Sequence, residues 1–126
     1  MPPSATRVRA IRGATTADGD EAGEILRVTR ELLQEMLARN ALTVDDLISV
    51  FFTVTPDLVS TFPARAAREL GWSDVPLICA ASLEVEGAPP RCIRVLAHVE
   101  SDRERADVRH VYLRGAQVLR PDLVNG

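Results

Sequence analysis

The chain contains no lysine: all 15 basic residues among its 126 are arginine. That absence excludes Schiff-base chemistry and a lysine-bearing phosphate loop, both of which need an amine. A GC-rich genome would account for abundant Arg and Ala, though not for where individual arginines stand. Cysteine is scarce. The two present, Cys79 and Cys92, lie on apolar segments and read as reduced buried thiols rather than a disulfide framework. The two histidines, His98 and His110, have no Cys or carboxylate partner at metal-ligand spacing, so no metal site is expected. No apolar run approaches the roughly 18–20 residues that span a bilayer, and MPPSATRVRA lacks the apolar centre of a secretory signal. The cytoplasm is the expected compartment. A net charge of −3 offers no broad positive field to nucleic acid. What remains is one domain's length of ordinary globular composition, covering residues 1–126, with residues 1–7 expected to fray.

Hydrophobic periodicity predicts the elements. VRAIRG at 8–13 alternates as a strand, and the polar ATTADGD at 14–20 reads as a loop. A helix is expected from about Asp20 to Arg39, with Ile25, Val28, Leu32 and Met36 as its apolar stripe. Asn40 stops it, and Thr43 caps a short turn through Leu47. ISVFFTV at 48–54 reads as a central strand buried on both faces. Pro63 opens a helix over 63–70 that Gly71 ends. VPLICAASLEV at 75–85 holds one or two strands, CIRVLAHVE at 92–100 another, and RHVYL at 109–113 a last one before a helical turn and the tail. This order predicts an α/β (α+β) domain: a mixed sheet with helices on one face. The other apolar face then needs cover, so a homo-oligomer is expected.

Arginines punctuate the predicted strands at Arg9, Arg12, Arg94 and Arg109. Such an Arg faces water, pairs with an acid, or presents its planar fork of donors to an anionic ligand. Arg94, with Cys92, Ile93, Val95 and Leu96 around it, raises the question most sharply. Nucleophilic catalysis has little support, since Cys79 has no His base at a recognisable spacing. Asp45/Asp46 and Glu84/Glu86 read as a cap and a solvated face rather than a catalytic pair. Tyr112 is either core or a ligand donor, and Phe62 either packs a helix start or walls a pocket.

Eight strings in order carry a resemblance: IRGATT (11–16), TPDL (55–58), FPA (62–64), AREL (67–70), VPLIC (75–79), RCIRV (91–95), RHVYL (109–113) and LRPDL (119–123). Together, from about residue 9 to 123, they resemble the AroH-type monofunctional chorismate mutases. The resemblance implies a homotrimeric pseudo-α/β-barrel with active sites in clefts between subunits. It also implies the [3,3] rearrangement of chorismate to prephenate on the shikimate route to phenylalanine and tyrosine, without metal or cofactor. By position, Arg94 matches the cation beside the ether oxygen, Arg12 a carboxylate-binding arginine, and Tyr112 a donor to the side-chain carboxylate. Phe62, Ala64 and Arg68 match cleft residues, and Arg65 falls where the family often has lysine. Cys79 sits beside the expected place of the ring hydroxyl. Leu119 and Arg120 match the C-terminal segment that closes over the site.

Ser82 departs from the pattern, because relatives usually carry Cys-x-x-Glu where this chain reads Cys79-Ala80-Ala81-Ser82. Loss of a preorganised electrostatic partner costs on the order of 10²–10³ in rate. On an extended strand Glu84 would share the face of Ser82, but about 6–7 Å away. The alternative to a chorismate mutase is a divergent or non-catalytic member that binds a different chorismate-like dicarboxylate. The small trimeric imine deaminases share an architecture of this kind but not these strings.

Overall fold

Alternation along the strands sets the architecture. In the computed structural model, which describes residues 5–120, the strands are β1 (Arg7–Thr16), β2 (Leu47–Val54), β3 (Leu77–Ala81), β4 (Cys92–Ser101) and β5 (Val111–Tyr112). They form one sheet in the order β3-β2-β4-β1-β5. β4 pairs antiparallel with β1 and β2, whereas β2–β3 and β1–β5 are parallel, so the sheet is mixed. The central strand is therefore β4, not the 48–54 segment. In β4 the residues Ile93, Val95, Ala97 and Val99 are buried, whereas Arg94 and Glu100, of the opposite parity, are exposed. Side chains of period two thus send one set under the helices and the other to the open face.

Helix α1 (Ala22–Ala38) and helix α2 (Ala64–Glu69) cover the first face. The α1 stripe of Ile25, Val28, Leu32, Leu33 and Met36 is almost wholly buried. Each such side chain contributes about 1.5–3 kcal/mol on removal from water. Leu32, Leu33 and Met36 meet Ile11, Val50, Phe52, Val95 and Trp72 in the main core. Gly13 permits the close approach of α1 to β1, since a Cβ there would stand 2.5 Å from Met36 Sδ. Gly71, at φ +89°, ends α2 in a conformation that other residues rarely adopt. Among the described residues no helix is long and apolar enough to cross a membrane.

Several boundaries differ from the sequence reading. β1 starts at Arg7 and continues to Thr16, because ATT stays in register with Cys92, Ile93 and Arg94 of β4. Residues 1–4 of the expected frayed end, and the tail at 121–126, lie outside the described residues. Asp20 does not begin the helix. Its carboxylate accepts the Val59 and Ser60 N–H groups, at 2.9 and 3.0 Å, and pins the loop after β2. β2 is covered on one face only: Val50 and Phe52 are buried, but Ile48 and Phe51 are 37% and 42% exposed. The 75–85 run is a single short strand. Its ladder ends with the Ser82 N–H donating to Val54 O at 2.9 Å, because β2 offers no further partner. Residues 83–85 leave the sheet, so Glu84 does not extend the face of Ser82 on a strand. The last strand is two residues long rather than five.

Candidate active site

The open face of the sheet carries a cavity of about 670 Å³, within the usual range for small-molecule sites. Its floor follows from strand register. Arg94 on β4 lies between Thr53 of β2 and Ala14 of β1, two small neighbours that leave room above it. Two residues along β4, Leu96 lies between Phe51 and Arg12. On the far side Tyr112 of β5 pairs with Ala14. The segment at 82–88 and the end of the 3₁₀ turn Arg114–Leu119 form the walls, bringing Ser82, Leu83, Leu119 and Arg120 to the cavity. Beneath that turn, Ala116 packs on Ala14 and Cys92.

The electrostatics are one-sided. Arg12, Arg94 and Arg120 line the cavity, and none of its lining residues is acidic. Among the described residues no carboxylate forms an ion pair with Arg12 or Arg94. A pocket of this kind is suited to an anion with more than one charge-bearing group. Ser82 adds a hydroxyl whose oxygen is buried and has no hydrogen-bond partner. Cys92 lies below Arg94 on the same face of β4. Burial pushes its thiol pKa up, against the pull of the Arg94 guanidinium. It is a packed thiol rather than a nucleophile. His110 stands behind Arg12, accepting the Arg12 backbone N–H on Nδ1 at 3.0 Å. Burial, then the charges of Arg12 and Arg120, lower its pKa, so the imidazole is neutral with its proton on Nε2.

Of the residues singled out in the sequence, the cavity gathers Arg12, Arg94, Tyr112, Ser82, Leu119 and Arg120. The other five lie away from it in this chain. Phe62 is 68% exposed in the loop before α2, and Arg65 and Arg68 are exposed on α2. Ala64 is buried in the main core, and Cys79 packs against that core from β3, in register with Phe52. Sequence reasoning passed over Phe51, Thr53 and Leu96. Their signal is parity: they stand at the alternate positions of β2 and β4, the ones that share a face with Arg94. Among the described residues no group of His, Cys, Asp and Glu could hold a metal ion.

Known proteins are similar to this chain in sequence and in fold. The family profile described as chorismate mutase type I matches residues 8–123. The chorismate mutase AroH of Bacillus subtilis (strain 168) is 44% identical over 117 residues, covering 92% of either chain. The Thermus thermophilus protein of the same description is 51% identical over 117 residues, covering 92% of this chain and 96% of its own. A solved chorismate mutase from Clostridium thermocellum superposes with a TM-score of 0.85 at 50% identity, covering 86% of this chain and 97% of its own.

Proposed function

The chain belongs to the type I chorismate mutase family, and from that premise we propose how its pocket serves the reaction. The protein is an isomerase that converts chorismate to prephenate. The observation that carries the mechanism is the cavity lined by Arg12, Arg94, Arg120 and Tyr112 with no acidic lining residue. The rearrangement is intramolecular. The ether C–O bond breaks, a C–C bond forms between the enolpyruvyl carbon and the ring, and no proton or external group is transferred. A pocket without a nucleophile or general base suits that chemistry.

The first task is orientation, because the enolpyruvyl arm must be held folded over the ring. Arg12 and Tyr112 hold a substrate carboxylate, and Leu119 and Arg120 close the side of the cavity. The second task is electrostatic. The C–O bond breaks ahead of C–C formation, so negative charge grows toward the ether oxygen. Arg94, fixed on the central strand, binds that charge more strongly in the transition state than in the substrate. Ser82 lies on the cavity wall and brings no charge to it.

The working enzyme is a homotrimer whose copies pack sheet-inward in a pseudo-barrel, with sites between neighbours. Support comes from the open face, where Phe51 and Ile78 are 42% and 57% exposed, and from Phe62, 68% exposed outside the cavity. Apolar groups in such positions are normally covered. Phe62, Ala64, Arg65, Arg68 and Cys79 belong to the segments that meet a neighbour's cavity. The compartment is the cytoplasm.

Turnover of chorismate by the purified protein, with the product identified, is the test. Saturable conversion to prephenate is expected. A folded protein that converts no chorismate above background would contradict the reading.

A further inference from the structure

The wall that brings Leu119 and Arg120 to the cavity belongs to the turn Arg114–Leu119, which follows a strand of only two residues. So short a strand gives few ladder bonds, and the turn is held by the packing of Ala116 and Leu119 on Ala14 and Cys92 together with side-chain ties at its start. Arg114 donates from Nε to Glu31 Oε1 and from Nη2 to Glu31 Oε2, each at 3.1 Å. The Gly115 N–H donates to Thr16 Oγ1 at 3.0 Å, and a Cβ at Gly115 would stand 2.9 Å from that oxygen. Arg114 itself adopts φ +52°, a left-handed conformation that a non-glycine residue keeps only when its surroundings hold it. The two-pronged guanidinium–carboxylate contact fixes orientation as well as distance. Glu31 does this from α1 and is not among the cavity-lining residues.

We infer that Glu31, acting through Arg114, is a positioning residue for substrate affinity: the contact on α1 sets where Leu119 and Arg120 stand against the bound dicarboxylate. This rests on the chorismate mutase reading above. Loosening the wall weakens binding of substrate and transition state alike, so it raises KM. It leaves kcat, which depends on Arg94 of the central strand, nearly unchanged.

The variants are Glu31→Gln, Arg114→Gln, and the exchanged pair Glu31→Arg with Arg114→Glu. The readouts are chorismate KM and kcat, together with amide hydrogen exchange at residues 113–119. Each single variant is expected to raise KM about two- to fivefold, the range that a partly exposed ion pair supports. Amides at 113–119 should exchange faster, and the exchanged pair should recover both properties. An ion pair serving stability alone would lower the melting temperature without moving KM, which would overturn the inference. So would a raised KM without faster exchange, or a fall in kcat as large as the rise in KM. Wild-type protein inert toward chorismate would contradict the functional reading and this inference with it. Active wild type with unchanged variants would overturn the inference alone.

Discussion

The backbone N–H of Arg12 donates to Nδ1 of His110 at 3.0 Å, joining the strand that carries one cavity arginine to the residue two before Tyr112. That bond needs Nδ1 unprotonated. Burial and the nearby Arg12 and Arg120 charges lower the pKa of His110 below its ordinary 6.5. The unfolded chain takes up this proton at a higher pH than the folded one. The stability contribution is therefore complete above the unfolded value, about 6.5, and declines as pH falls from there toward the lower folded pKa. Denaturation midpoints measured from pH 8 to 5 should fall on the acid side. His110→Gln, which has no imidazole to titrate, should show a shallower decline. An equal slope in both proteins would contradict this role.

Ser82 places a buried oxygen without a hydrogen-bond partner on the cavity wall. The resemblance implies glutamate at this position, where a negative charge would complement the ring as it becomes cationic. Ser82→Glu is therefore expected to raise kcat by about tenfold or more, a part of the 10²–10³ range for single preorganised groups. Steady-state kinetics on chorismate decide it. A lower rate would mean that the pocket is already complete with the hydroxyl.

Gly13 is where α1 approaches β1: a methyl group there would meet Met36 Sδ at 2.5 Å and Leu32 Cδ1 at 3.1 Å. Gly13→Ala overpacks this contact and should destabilise the protein by about 1–3 kcal/mol. Its neighbour Arg12 lies on the opposite face of β1, so the variant also shifts a cavity arginine. Chemical denaturation measures the stability loss, and an unchanged midpoint would show that the helix moves aside freely.

Ile78 is 57% exposed on β3 and is not part of the cavity lining. If a neighbouring copy covers the open face, Ile78→Asp buries an unpaired carboxylate in the interface. Sedimentation should then show the trimer dissociating, with activity falling in step. A wild-type protein that sediments as a stable monomer and remains fully active would remove the shared-site account.

Much of this arrangement is legible in local pattern. The alternation in CIRVLAHVE places Arg94 on the face opposite Ile93 and Val95, and the stripe from Ile25 to Met36 marks the buried side of α1. Boundaries are less legible because partners decide them. VPLICAASLEV is apolar throughout, yet its strand stops at Ala81, where β2 runs out. The ATT of IRGATT is polar in composition but remains a strand because β4 is long enough to pair with it. β2 carries apolar residues on both faces, and within one chain only one face has a cover. The Glu31–Arg114 contact joins residues 83 apart in the chain, a pairing for which local sequence holds no signal.

The most direct test of the mechanism is kcat for Arg94→Ala beside wild type, with circular dichroism to confirm the fold. Arg94 is exposed between Thr53 and Ala14, so its removal leaves the core intact. The value of kcat is expected to fall by at least about 10²–10³, with KM changing far less. A folded Arg94→Ala protein that retains wild-type turnover would contradict the claim that this guanidinium stabilises the transition state.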